Sequence, residues 1–227
     1  MNGQYSVKEK FSNVLYIVYG WMSIGLAITS LVAYGVSINK TIFDVVVRNP
    51  FVLLAIILAQ LAIVIVISLK IRTLSYPVAL SLFLAYSALV GLSLSIIFVV
   101  YTTASIFKTF LITSLMFATM ALYGYFTRSD LSSLGSMFSM ALWGLIIALI
   151  VNLFLRSTAF DMVISFIGII IFAGLTAFDV QKIKQITSYY HDQDTLNKVA
   201  LFGALVLYLD FINLFLMMLR FTGSRRE

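Results

Sequence analysis

The chain has 227 residues, 62% of them apolar and 11% charged, with no cysteine, a formal net charge of +6 and a mean hydropathy of +1.06. Apolar surface on that scale cannot be hidden inside a soluble globule of this length and needs a lipid bilayer as its solvent. The absence of cysteine excludes disulfides, thiolate metal sites and cysteine nucleophiles, and the basic residues, scattered over segment ends, are flank charge rather than a nucleic-acid surface.

Seven apolar runs have the length needed to cross a hydrocarbon core of roughly 30 Å as helices. The first, Asn13–Val36, follows Lys8 and Lys10 and a short polar N-terminus, 1–12. It is long and lacks a small-x-small cleavage site, so it reads as a retained helix rather than a cleaved signal. Phe51–Leu69 follows, carrying Gln60 and ending on Lys70 and Arg72. Tyr76–Tyr101 contains the small residues Ser87, Gly91, Ser93 and Ser95, and Ala104–Phe126 comes next. Met137–Leu155 carries Asn152, Phe160–Val180 ends on Asp179, and Val199–Leu219 holds Asp210 and Asn213 ahead of a short basic C-terminus, 220–227.

The longest polar stretch, Gln181–Lys198, is too short to fold alone. The prediction is therefore one all-α domain, 1–227: a polytopic membrane protein of seven transmembrane helices with short connections. The 12 glycines contain no G-x-x-x-G pair, so helix contacts must use Ala, Ser and Thr, with Gln60 and Asn152 as interhelical hydrogen-bonding glue. Tyr16, Tyr19, Trp21, Tyr76, Tyr101, Tyr189 and Tyr190 read as interfacial anchors. With seven spans, Lys70, Arg72, Arg128 and the loop after Asp179 fall on one face whichever way the chain is inserted; the two N-terminal lysines favour an N-terminus inside.

The two aspartates stand apart from this pattern. A carboxylate at bilayer depth costs at least roughly 2.5–3.5 kcal/mol, so Asp179 and Asp210 should face the protein interior and find a partner. Their segments are consecutive and antiparallel, and the polar turn around His191, Asp192, Gln193 and Asp194 lies about midway between them. At about 1.5 Å rise per residue the carboxyls come within one or two turns of the same depth, provided both helices extend toward that turn. Two carboxylates brought together there cannot both stay ionised cheaply. They should share a proton and titrate as a unit unless a cation compensates, which makes the pair a proton-sensitive cation site. Asn213, one turn beyond Asp210, offers a further oxygen ligand or a helix–helix hydrogen bond. His191, the single histidine, reads as a solvated loop residue rather than a pH sensor.

The runs Leu175-Thr176-Ala177-Phe178-Asp179-Val180-Gln181-Lys182-Ile183-Lys184 and Leu207-Tyr208-Leu209-Asp210-Phe211-Ile212-Asn213-Leu214-Phe215-Leu216 closely resemble the two C-terminal signatures of the Bax inhibitor-1, or transmembrane Bax inhibitor motif, family. The likeness continues upstream through Val18-Tyr19-Gly20-Trp21-Met22, Ala59-Gln60-Leu61-Ala62, Tyr86-Ser87-Ala88-Leu89, Tyr101-Thr102-Thr103-Ala104-Ser105-Ile106 and Leu122-Tyr123-Gly124-Tyr125-Phe126-Thr127-Arg128-Ser129-Asp130-Leu131. It covers nearly the whole chain and is similar above all to the bacterial inner-membrane branch.

The resemblance implies a last helix central in the bundle and a pH-sensitive calcium leak. Asp179 and Asp210 would be its pH sensor, its gate and its transient calcium ligands. It also implies a basic latch at the end of the second helix, either Arg72 or Lys70. Gln60 stands where some bacterial relatives carry an acid, and Phe178 where relatives often have tyrosine. No cofactor is implied; calcium, protons and lipid are the expected partners. A second implied function is a nonconducting regulator that binds a membrane-bound protease or another membrane partner.

An enzyme is not expected. Paired intramembrane aspartates suit an aspartyl protease, but such proteases carry G-x-G-D at the second aspartate and a later Pro-Ala-Leu. Here Leu207-Tyr208-Leu209 precedes Asp210, and Pro50 and Pro77 lie far upstream. A retinal-type receptor would need a lysine between Val199 and Leu219, where there is none.

Overall fold

The structure is a computed structural model that describes residues 7–190 and 192–226, with side chains from Phe11 onward, so His191 lies outside the described residues. The described chain forms helices α1 (Val7–Ile38), α2 (Lys40–Val46), α3 (Pro50–Lys70), α4 (Tyr76–Leu94), α5 (Ile97–Val100), α6 (Thr103–Phe126), α7 (Ser132–Leu155), α8 (Thr158–Tyr189) and α9 (Gln193–Thr222). Helices satisfy their own backbone groups, which is what a hydrocarbon solvent requires. Seven stretches are long and apolar enough to cross a membrane, with α4 and α5 together making one of them, Tyr76–Val100. The protein is an all-α polytopic membrane protein, as its composition demanded.

Helix starts follow capping chemistry. The Asn49 side chain accepts from the amides of Phe51 and Val52 at 3.0 and 3.4 Å, ahead of Pro50 at the first helical position. Thr102 caps α6 by accepting from the Ser105 amide at 3.3 Å. Helix α7 stops at Arg156, whose φ of 50° is left-handed.

One boundary departs from the apolar count. Most of the polar stretch after Val180 is helix, because α8 continues to Tyr189 and α9 restarts at Gln193. Lys182, Lys184 and Gln185 are exposed, while Ile183 and Thr187 are buried, so α8 leaves the apolar region as an amphipathic helix. Asp192 starts α9 by accepting from the Thr195 amide at 2.9 Å.

The fold comprises two compact units. The first contains Met1–Val100, Gln185–Tyr208 and Arg226; the second contains Tyr101–Lys184, Leu209–Arg225 and Glu227. Helix α9 gives its first half to one unit and its second half to the other.

In the first unit the Tyr208 ring is wholly buried, edge-on to Phe83 and Tyr86 with centroids 5.8 and 5.9 Å away. Thr29 donates to the Ser87 carbonyl at 2.8 Å, so the Tyr208 hydroxyl is the donor in its 2.6 Å bond to Thr29. Gly91 brings α4 against α1: a Cβ there would lie 2.8 Å from the Thr29 carbonyl oxygen.

In the second unit Phe211 is bracketed by Phe110 and Phe117, each 5.5 Å away between centroids. Gly124 lets α6 meet α8, where a Cβ would collide with the Ala177 carbonyl, and Gly168 lies under Met217 of α9. Small residues thus make the close approaches without a G-x-x-x-G pair. Tyr101, expected as an interfacial anchor, is instead buried against Gly223 and pairs with Arg225 in an isolated bridge. Of the seven spans the last is the most interior: 61% of its apolar window is buried, against 56% for α8, 11% for α3 and 6% for α7.

Candidate functional site

Asp179 of α8 and Asp210 of α9 both belong to the second unit. Two glycines orient the stretch around Asp179: α6 closes on Ala177 at Gly124, and the Phe178 ring packs on Gly135 at the start of α7. Asp210 is 6% exposed and Asp179 half-buried. Their carboxyl groups are within hydrogen-bonding reach of one another. Asp210 Oδ2 is buried and receives no donor from the protein among the described residues. Ionised carboxylates only accept, so the two can bond only through a proton held between them. The structure therefore brings together the two acids that the sequence singled out.

The surroundings add two residues that sequence reasoning counted only as flank. Lys182, one turn along α8, is the cation that acts on Asp179, and its ammonium lies 5.6 Å from the Phe178 ring centroid. Its i,i+3 spacing from Asp179 was the available signal. Gln181 is buried. Its Oε1 accepts from the Leu131 amide and its Nε2 donates to the Ser129 carbonyl, both at 2.8 Å. The loop after α6 is thereby clamped to α8 two residues from Asp179. In that loop the Ser132 hydroxyl and amide hold the exposed Asp130 carboxyl below its ordinary range, as Thr195 does for the exposed Asp192.

The other candidates lie elsewhere. Lys70 and Arg72, at the end of α3 in the first unit, are exposed, and among the described residues neither is in an ion pair. Arg72, but not Lys70, lines a groove of about 400 Å³ with Ser68, Tyr190, Lys198 and Phe202; Lys198 is paired with Asp194 at 2.8 Å. Gln60 donates to the Leu89 carbonyl at 2.8 Å and to the Ser93 hydroxyl at 2.6 Å, the helix glue expected of it. Asn152 accepts from the Ser157 amide at 3.2 Å and reaches Asp161 at 3.5 Å, and Asp161 faces Arg220 at 3.9 Å. Asn213 donates to the Leu209 carbonyl of its own helix at 2.9 Å, which leaves its side-chain oxygen as an acceptor.

Calcium takes six to eight oxygens. Among the described residues no three acidic, histidine or cysteine side chains converge.

The family model described as "Inhibitor of apoptosis-promoting Bax1" matches residues 12–227. Inner membrane protein YbhL of Escherichia coli (strain K12) is 49% identical over 211 residues, 92% of this chain and 90% of that protein. An uncharacterized protein of Borreliella burgdorferi is 47% identical over 222 residues, 97% of this chain and 94% of the relative. Uncharacterized protein RP147 of Rickettsia prowazekii is 40% identical over 210 residues, 92% and 89% of the two chains. These matches extend over all seven spans and both aspartate signatures, and the chain belongs to the Bax inhibitor-1 family, in its bacterial inner-membrane branch.

Proposed function

We propose that this protein is a pH-sensitive calcium leak gated by the Asp179–Asp210 pair, with no enzymatic chemistry. The observation that carries the reading is the buried Asp210 Oδ2, which finds no donor among the described residues while the Asp179 carboxyl stands within bonding reach. A proton between the two closes the pair. Raising the pH removes it, and two adjacent negative charges in a poorly solvated place repel one another and attract a hard cation that prefers oxygen. Lys182 is the counter-charge inside the same unit. The family implies a basic latch at the end of α3, supplied by Lys70 or Arg72.

Calcium influx into dye-loaded proteoliposomes at several pH values tests this. Wild-type influx should rise with pH, and Asp179→Asn or Asp210→Asn should flatten that rise. A folded wild-type protein that admits no calcium at any pH would sink the leak and leave a regulator of a membrane-bound protease or other membrane partner as the better account.

A further inference from the structure

The groove between the end of α3 and the start of α9 lies wholly within the first unit and contains neither aspartate of the pair. Its volume of about 400 Å³ falls in the range of ligand clefts, roughly 300–1,000 Å³. The lining carries two cations, Arg72 and Lys198, and no acid. Arg72 is exposed, and among the described residues it is in no ion pair. Lys198 keeps only 17% of its side chain exposed. Its ion-pair partner Asp194 and the neighbouring Asp192 are both exposed and outside the groove. Carboxylates so placed compensate a half-buried lysine only weakly.

The lining changes character along the helices. On α9 it passes from Thr195 and Lys198 to Val199 and then Phe202, which is one turn, about 6 Å, further into the span than Lys198. Lys198 is the last charged residue before an uncharged run that reaches Asp210, and α3 carries no charge from Pro50 to Leu69. Both walls therefore turn from apolar to basic at this groove, which is the mark of a membrane–water interface. Helix α3 is also turned to lipid: 11% of its apolar window is buried, and Leu69 is 79% exposed. A basic end above an apolar wall, bordered by lipid, matches a phospholipid. A free phosphate or a hydrophilic acidic peptide would satisfy the cations and leave Val199 and Phe202 uncovered.

We propose that this groove binds an anionic phospholipid, with Arg72 and Lys198 holding the phosphodiester and an acyl chain lying against Val199 and Phe202. The planar Arg72 guanidinium offers paired donors to two phosphate oxygens, and the Lys198 ammonium adds a point charge. Two cations disfavour a headgroup that carries its own ammonium, so phosphatidylglycerol is preferred to phosphatidylcholine. The lipid site does not rest on the leak reading, and either can fall without the other.

Native mass spectrometry of the full chain in neutral detergent, titrated with phosphatidylglycerol, phosphatidylcholine or glycerol phosphate, tests this. Wild type should bind phosphatidylglycerol about fivefold or more tightly than phosphatidylcholine. Arg72→Gln and Lys198→Gln should each weaken phosphatidylglycerol about fivefold, the weight of one cation at an anionic lipid. Lys70→Gln removes an equal charge two residues from Arg72 but outside the groove, and should bind like wild type. Arg72 is exposed, so its replacement keeps the fold even where that of Lys198 does not. A wild type without preference for phosphatidylglycerol overturns the lipid site and leaves its cations to an acidic protein segment. Equal losses in Lys70→Gln and Arg72→Gln overturn it too, because general surface charge then accounts for the binding. So does binding that Arg72→Gln leaves untouched, which puts the lipid elsewhere. Displacement of bound phosphatidylglycerol by glycerol phosphate at matched concentration overturns the acyl contact and makes the groove a site for free phosphate.

Discussion

Helices α7 and α9 have nearly the same mean hydropathy, 2.3 and 2.2, yet 6% of one apolar window is buried and 61% of the other. In a soluble protein such hydropathy would send both to the core. In lipid it sends neither, because the surrounding chains are as apolar as leucine, and packing and hydrogen bonds decide which helix goes inside. The difference lies in the polar and aromatic side chains. Helix α9 carries Tyr208, Asp210 and Asn213 in mid-span, each needing a partner that lipid cannot supply, whereas α7 carries no acid and its one amide, Asn152, lies near its end.

The sharpest way to test this contrast is at the glycines. Gly124→Ala should cost about 1–3 kcal/mol in thermal or denaturant unfolding, since the new methyl meets the Ala177 backbone, which cannot yield as a side chain would. Gly144→Ala, on the exposed helix α7 with nothing within 4 Å of its added Cβ, should instead stabilise by about 0.5–1 kcal/mol. Equal effects at the two sites would erase the distinction between a helix position packed on a neighbour, here on α6, and one facing lipid on α7.

A smaller effect is expected at Tyr208→Phe. Loss of its bond to Thr29 should lower stability by about 0.5–1.5 kcal/mol, because the buried Thr29 oxygen then lacks its donor. Leu153→Ala, 72% exposed on α7, should stay within about 0.5 kcal/mol of wild type.

The smallest effect concerns the exposed cap of α9. The folded protein holds the Asp192 carboxyl below its ordinary value of 3.8. Its contribution is thus complete at neutral pH and is lost as the pH falls through the lowered folded value. Melting curves at pH 7 and pH 3 should show a slightly smaller acid penalty for Asp192→Asn, which keeps a cap but not the charge. An unchanged penalty would mean that acid acts elsewhere.

Much of the site was legible because intramembrane acids are rare for an energetic reason. Asp179 and Asp210 stand out against any apolar run, and antiparallel neighbours place them at a common depth. The apolar count misjudged α8 beyond Val180, where the buried face reduces to Gln181, Ile183 and Thr187 while Lys182, Lys184, Gln185, Ser188 and Tyr189 are exposed. Nothing local marks Gln181 as a clamp: its partners, Ser129 and Leu131, are about 50 positions away, at separations of 52 and 50. The buried hydroxyls of Thr113 and Ser165, without a hydrogen-bond partner among the described residues, look in sequence like any other threonine or serine, since only the packed helices show which ones bond their own backbone.

The amino-acid sequence by itself determined the solvent, the number of spans and the two residues that lipid would penalise, because these depend on transfer free energies summed along short stretches of chain. The tertiary structure decided which helix is interior, which Asp210 oxygen is left without a donor, and which small residues carry close contact. Those depend on the direction each side chain takes from its helix and on partners as distant as Thr29 and Tyr208, 179 positions apart. A one-dimensional pattern constrains which residues avoid lipid, but only the packed helices fix what each of them meets.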